Sequence, residues 1–345
     1  MNRQRSYRLR VVEVIRETAD AHSIVLEPDE ADAGRFDHRP GQYLTFNVPT
    51  EREGGAARCY SLSSSPLLGE RLKVTVKRTA DGYGSNWICD NLREGDEIET
   101  LRPAGTFTPR TLDADFLLFA GGSGITPLMS ILKSALHAGR GRVALVYANR
   151  DERSVIFRDE LVALEKQYAG RLHVVHLLES VQGIPRVETL AELARPYAAR
   201  DVFVCGPAPF MDAVGEGVAA VGVPAGRTHY ERFSSLAEDP FTEPAVVLDT
   251  EAEAAGTVEV ELDGETTTLA WPTANRMLDV FLAAGLDAPY SCREGRCSAC
   301  ACVLLDGEVE LEHNEVLEKE DIADGIVLAC QAVPRSERVR VTYDQ

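Results

Sequence analysis

Four cysteines near the end of the chain are spaced as metal ligands: Cys292, Cys297 and Cys300 in PYSCREGRCSAC, and Cys330 in LACQA. The pattern, C-x4-C-x2-C followed by a distant fourth cysteine, suits a [2Fe–2S] cluster. Each iron of such a cluster takes two bridging sulfides and two thiolates in a tetrahedral set. Three cysteines on one tight loop wrap most of it. The small residues among them (Ser291, Gly295, Ser298, Ala299, Ala301) let backbone N–H groups approach the sulfides, and the fourth thiolate can then arrive from elsewhere. Two other chemistries gather cysteines. A disulfide framework needs an oxidising compartment. A zinc site usually pairs one C-x2-C with another or with histidines, whereas Cys330 stands alone here and only His313 is near. Cys302, at the start of an apolar run, is either a rival ligand or a buried core thiol. A cluster of this kind passes single electrons, so the rest of the chain reads as their source.

The 345 residues suffice for two or three domains. The N-terminus is basic but has no apolar core of a signal peptide, and no apolar run approaches a membrane span. The expectation is a cytoplasmic protein with no membrane partner and reduced cysteines. Of the net charge of −19, residues 236–345 carry 24 acids against 7 bases, and residues 1–235 are nearly balanced with 31 acids and 29 bases. Nucleic acid is thereby excluded as a partner. The acidic end either steers a basic redox partner or only keeps the protein soluble.

Short runs of alternating apolar and polar residues in 1–110 (YRLRVVEVI, SIVLEP, QYLTFNV, RLKVTVKR, DEIETL) predict an antiparallel β-barrel. In 111–233 the strands become continuously apolar (DFLLFA, RVALVYA, LHVVHLL, DVFVCG) and alternate with helical stretches, which predicts an α/β domain with a parallel sheet. Residues 234–256 are rich in Pro, acids and small residues and read as a linker. In 257–345 a hairpin (TVEVELDG-ETTTLAW), a helix stopping at Gly285, the cysteine loop and further strands predict a third, α+β domain.

Two further segments carry chemistry. RCYSLSSSP, residues 58–66, places an arginine, an aromatic and hydroxyls at the end of a barrel strand. The aromatic can lie on a flat ring, a hydroxyl can bond a ring nitrogen, and the guanidinium can clamp a phosphate. Gly82, Gly84, Ser85 and Asn86 then precede a helical stretch whose N–H groups suit a pyrophosphate. FLLFAGGSGITPLMSIL reads as strand, glycine turn and helix, in which Gly121, Gly122 and Gly124 admit a close anion. It fails the G-x-G-x-x-G fingerprint, since Pro127 stands where the third glycine belongs.

In this order the segments resemble the ferredoxin–NADP reductase-like superfamily, whose R-x-Y-S-x-x-S signature is matched by Arg58, Tyr60, Ser61 and Ser64, and whose glycine turn carries the same proline. The resemblance implies FAD, with Tyr60 against the isoalloxazine, Ser61 near its reactive nitrogen, and Arg58 with Gly84 and Ser85 on the phosphates. It implies a nicotinamide site at Gly122, Gly124 and Thr126 and at Cys205, Gly206 and Pro207. Ser61 and Cys205 would then be the catalytic pair, although Cys205 alone would read as a packed thiol. Phe233 resembles the aromatic that covers the flavin, and a core role competes with that reading. After the second α/β strand, Asn149-Arg150-Asp151-Glu152-Arg153 mixes acids that repel a 2′-phosphate with arginines that hold one, and NADH is expected mainly because the nearest family members use it.

A flavin barrel, a nicotinamide domain and a C-terminal plant-type ferredoxin domain of β-grasp form resemble the reductase components of multicomponent oxygenases. This implies electrons passing from NADH to FAD to the cluster Cys292, Cys297, Cys300, Cys330, and on to a terminal oxygenase. Details such as YANRDERSVIFRDEL and LACQAVP are more similar to the reductases of 3-ketosteroid 9α-hydroxylases, which serve a Rieske oxygenase in steroid catabolism, than to the phenylacetyl-CoA epoxidase reductases, which serve a di-iron one. A different class, a carrier or redox sensor with a decayed flavin segment, conflicts with the intact run Arg58–Ser64. No Rieske or di-iron ligand set appears in the chain, so a partner must activate oxygen.

Overall fold

The computed structural model describes residues 6–50, 56–233, 236, 239–242 and 254–344. The first unit is a six-stranded antiparallel sheet of β1 (Tyr7–Arg16), β2 (Ala21–Pro28), β3 (Tyr43–Asn47), β4 (Ala57–Ser61), β5 (Leu72–Lys77) and β6 (Glu97–Thr100), in the order β4-β3-β6-β1-β2-β5. A bridge from Leu62 to Val74 brings the two outer strands together and closes the barrel. Alternation in β1 places Tyr7, Leu9 and Val11 in the core with exposed arginines between them. Helix α1 (Tyr83–Asn91) lies beside β5.

The second unit is a parallel sheet of β7 (Phe116–Gly121), β8 (Val143–Asn149), β9 (Leu172–Leu178), β10 (Asp201–Cys205) and β11 (Thr228–Glu231), in the order β11-β10-β7-β8-β9. Every residue of β7 is buried because both faces are covered. Phe116 and Leu118 pack into one core, with α2 (Ile125–Ala138) and α3 (Arg158–Gln167), and Leu117 and Phe119 into the other. That second face is covered by α5 (Val187–Ala194) and α6 (Ala208–Ala220), which follow the four-residue α4 (Glu179–Gln182). The chain winds outward through β8 and β9, then returns to β10 on the other side of β7. This reversal is a topological switch point, where open α/β sheets bind ligands.

The third unit is a mixed sheet ordered β13-β12-β18-β14-β16, with a two-stranded β15-β17 pair. Its strands are β12 (Ala254–Leu262), β13 (Glu265–Pro272), β14 (Ala301–Asp306), β15 (Val309–Leu311), β16 (Ile326–Leu328), β17 (Ala332–Pro334) and β18 (Arg338–Thr342). Trp271, Met277 and Phe281 centre its core, the last two on α7 (Met277–Ala283); a short α8 (Lys319–Ala323) lies outside. Asp263 and Gly264, both at positive φ, make the two-residue turn of the β12-β13 hairpin. The expected linker lies largely outside the described residues, and its last three residues, 254–256, belong to β12. No described helix is long and apolar enough to cross a membrane.

One close approach ties the second unit together. A Cβ on Gly124 would come within 2.1 Å of the Cys205 carbonyl oxygen, so α2 meets the end of β10 only because this residue is glycine. Gly124→Ala should push β10 from α2 and cost about 1–3 kcal/mol, the range for overpacking a tight interior. Thermal unfolding measures it; an unchanged midpoint would mean that the contact is not this tight.

Candidate redox site

The cysteine loop joins α7 to β14 in irregular backbone, with Arg293 and Ser298 at positive φ. The thiols form two pairs, Cys292 with Cys297 and Cys300 with Cys330, each within hydrogen-bonding reach. In each pair one thiol is lowered by its neighbour, Cys292 by Cys297 and Cys330 by Cys300. Backbone N–H groups of Glu294 and Arg296 donate to the Cys292 sulfur at 3.3 and 3.4 Å, and that of Cys292 to the Cys297 sulfur at 3.3 Å. The Gln331 side-chain amide donates to Cys330 at 3.5 Å. Among the described residues no three His, Cys, Asp or Glu side chains converge as ligands of one ion. Two thiolate pairs suit two irons, as the [2Fe–2S] spacing requires, better than one tetrahedral zinc. The buried Ser291 hydroxyl, next to Cys292 in the chain, has no protein partner. Cys302 meets Tyr343 instead of a fellow thiol, and burial pushes it up to about 12, so it is a core thiol.

The flavin expectations divide. Arg58 points its guanidinium along β4, bonded only to the neighbouring Ala57 carbonyl at 2.7 Å and to no carboxylate among the described residues. A Cβ on Gly84 would lie 2.8 Å from Arg58 and 3.5 Å from the Tyr60 hydroxyl, so the start of α1 presses against both. No side chain caps α1 and no acid lies in its first turn, which leaves its N–H groups for an anion. Arginine, uncapped helix start and aromatic therefore fit a flavin diphosphate and ring. The Ser85 hydroxyl accepts from the Thr79 N–H at 3.1 Å, which leaves its own proton to donate. Ser64 has a structural role. It is fully buried, its hydroxyl accepts from the Lys73 N–H at 3.0 Å, and its carbonyl accepts from Ser130 on α2 at 2.6 Å. It is a strut between barrel and α/β unit.

At the switch point the glycine turn and Cys205-Gly206-Pro207 face each other; a Cβ on Gly206 would lie 3.0 Å from Gly121. They border a cleft of about 630 Å³ lined by Lys77, Gly122, Ser123, Pro207, Met211 and Phe233. Phe233 stands half exposed at its lip. Gly122 adopts φ +54 and accepts from the Tyr147 hydroxyl at 3.0 Å, while Thr126 donates to the Ser123 carbonyl at 3.0 Å and so closes the turn instead of facing the cleft. The Cys205 side chain is fully buried, and burial raises its thiol well above the usual range.

The three units meet at a narrow slot lined by Tyr43, Cys59, Ser61, Glu231, Phe233 and Cys297. Ser61 is therefore brought to the same place as a cluster ligand. The Tyr43 hydroxyl donates to the Cys297 carbonyl at 2.6 Å, and the Thr106 N–H to the Ser298 hydroxyl at 3.2 Å. Sequence reasoning missed Tyr43 and Glu231. The latter keeps part of its side chain open to the slot, yet surrounding protein desolvates its carboxyl and pushes it up to about 8. Cys59 is pushed up to about 12 by the same cause. A carboxyl that is neutral at neutral pH beside Ser61 can hold or release a proton where a flavin edge would lie.

A carboxyl at about 8 in the fold against an ordinary 4.5 adds stability that is complete below its ordinary value and lost as pH rises through its folded one. Glu231→Gln should remove this dependence. Between about pH 5 and 8 the wild type should lose thermal stability relative to the variant; parallel curves would show that Glu231 ionises normally.

Family models for an oxidoreductase FAD-binding domain, an oxidoreductase NAD-binding domain and a 2Fe-2S iron-sulfur cluster binding domain match residues 8–108, 118–216 and 260–335. The ferredoxin reductase component of 3-ketosteroid-9-alpha-monooxygenase from Rhodococcus rhodochrous is 54% identical over 98% of this chain and 97% of its own. One component of the 1,2-phenylacetyl-CoA epoxidase of Escherichia coli (strain K12) is 31% identical over 97% of each chain. Among solved structures, phthalate dioxygenase reductase, described as a modular structure for electron transfer from pyridine nucleotides to [2Fe–2S], aligns over 98% of both chains with a TM-score of 0.56 and 25% identity. Relatives that match from end to end, over the same three units in the same order, place this chain in the family of oxygenase reductase components that carry FAD-, NAD- and [2Fe–2S]-binding domains.

Proposed function

We propose that this chain is the NADH-dependent reductase of a two-component 3-ketosteroid 9α-monooxygenase, with a Rieske protein as its terminal oxygenase. The observation that carries this reading is the identity of 54% over nearly the whole of both chains, against 31% for the epoxidase relative. When bound, FAD supplies the conversion of a two-electron donor to one-electron steps, and the [2Fe–2S] cluster carries those electrons outward.

The chain's own residues do the rest. Arg58 and the uncapped start of α1 would hold the flavin phosphates, Tyr60 would lie on the ring, and Ser61 with Glu231 would meet its edge. The turn at Gly122 and Gly124, with Gly206 and Pro207 opposite, receives the nicotinamide nucleotide, and Phe233 shields the flavin until it arrives. Cys292, Cys297, Cys300 and Cys330 hold the cluster. NADH is favoured over NADPH because the cations at that end of the cleft are engaged: Arg150 with Asp20 at 2.7 Å, Lys77 with the same carboxylate at 4.0 Å, and Arg78 with Asp90 at 2.6 Å. The Asp151 carboxylate caps the turn at 152–154. None of these three cations is left waiting for a 2′-phosphate, and the protein works in the cytoplasm.

Coupled turnover tests the reading. With purified Rieske and di-iron oxygenases, NADH oxidation should be tied to ketosteroid consumption and not to phenylacetyl-CoA consumption, and NADPH should serve at least about tenfold less well, roughly the 1.4 kcal/mol of one ionic contact. Phenylacetyl-CoA turnover would transfer the chain to the other subfamily. Cys297→Ser should abolish the cluster's visible bands and oxygenase turnover while leaving FAD content and NADH-to-dye activity. Loss of dye activity as well would contradict the modular arrangement.

A further inference from the structure

One guanidinium joins the barrel to two separate parts of the ferredoxin unit. Arg102, just after β6, donates to the Asp263 carboxylate at 3.1 Å and to the Asp287 carbonyl at 3.0 Å, and its second nitrogen lies 3.5 Å from the Asp287 carboxylate. The side chains of Arg102 and Asp287 are only 18% and 7% exposed, so water screens this contact little. The acids come from two distant parts of the ferredoxin unit. Asp263 is in the hairpin turn of β12-β13, where the carboxylate of Asp344 accepts its N–H at 2.8 Å. Asp287 leads into the cysteine loop. A gap of about 20 Å³ beneath, bordered by Thr45, Leu101, Ala104 and Pro289, has room for about one water. A second ionic link across the boundary, Arg110 to Asp324 at 2.7 Å, is exposed on both sides (57% and 50%) and contributes little.

We propose that Arg102 is a positioning residue for internal electron transfer, a fork that pins the entry of the cysteine loop so that Cys297 stays against Tyr43 and the flavin slot. The proposal rests on the family assignment of FAD to the barrel and [2Fe–2S] to the loop. In the step it serves, one electron leaves the reduced flavin and one iron of the oxidised cluster goes from ferric to ferrous; two such transfers follow each NADH. Arg102 touches neither group. A lysine keeps the charge but not the planar fork, so it holds the two segments less well.

The test uses the full-length holoprotein and the variants Arg102→Gln, Arg102→Lys and Arg110→Gln. Under anaerobic conditions in a stopped-flow instrument, NADH should bleach the flavin at the wild-type rate in all of them. The cluster band should follow roughly tenfold or more slowly in Arg102→Gln, as expected when a buried hydrogen-bonded charge pair loses one partner. Arg102→Lys should be intermediate and Arg110→Gln unchanged. Hydrogen exchange, read without turnover, should quicken at residues 286–299 in Arg102→Gln but not in Arg110→Gln. Cluster reduction at the wild-type rate in Arg102→Gln would overturn the proposal, as would equal slowing of flavin and cluster, which would mean general damage to the barrel. Absence of a flavin or cluster band in the wild type would refute the family reading instead.

Discussion

The contact between Tyr43 and the Cys297 carbonyl decides what the three units can do together. Electron transfer weakens steeply with separation, so a flavin and a cluster in one chain are useful to each other only if the fold holds them at close range. Tyr43 reaches that range from β3, whose register sets it opposite Ser61 on β4. Gly105, at φ +117, leaves room for the tyrosine ring, since a Cβ there would lie 3.1 Å from it. A barrel strand, a glycine and a hydroxyl thus carry the position of the flavin motif over to the cysteine loop.

Three groups beside this contact are kept neutral by burial. Tyr43, Cys59 and Glu231 all have their proton affinity raised by burial, so none contributes a fixed charge to the slot at neutral pH. Moving an electron through such a place changes its charge by a whole unit in poorly screened surroundings. A carboxyl poised near neutrality can offset that change by taking up or releasing a proton, which a tyrosine or thiol near the alkaline limit cannot. Arg232, Arg296, Glu315 and Glu318 also line the slot, and Arg102 and Arg110 meet acids of the ferredoxin unit elsewhere on the boundary.

The parts of this arrangement that were legible in the sequence are those written in short stretches. The cysteine spacing announces the cluster because its ligand loop is local, and the change from alternating to continuous apolar strands announces the change from barrel to parallel sheet. The slot was not legible, because its residues lie far apart: Tyr43 and Cys297 are separated by 254 positions, and Arg102 and Asp287 by 185. Nothing in the segment His229–Phe233 marks its glutamate over its aromatics until β11 carries it beside Cys205. Ser64, Thr126 and Cys205 show the opposite limit. The motif located each of them, but a motif does not say whether a side chain faces the cleft or is already bonded to the backbone behind it.

The boundary of the ferredoxin unit is neither a continued core nor a loose tether. A cavity of about 440 Å³ opens where all three units meet, walled by Arg39, Arg110 and His229 on one side and Glu318, Asp321 and Asp324 on the other. Mixed charges around such a space keep it hydrated, unlike the apolar cores within each unit. The direct hydrogen bonds nearest the cysteine loop lie along the strip from Tyr43 through Arg102 to Thr106. An interface built in this way holds the loop accurately at the one place where distance governs transfer. Elsewhere it leaves the acidic surface of the third unit uncovered for whatever protein receives the electron.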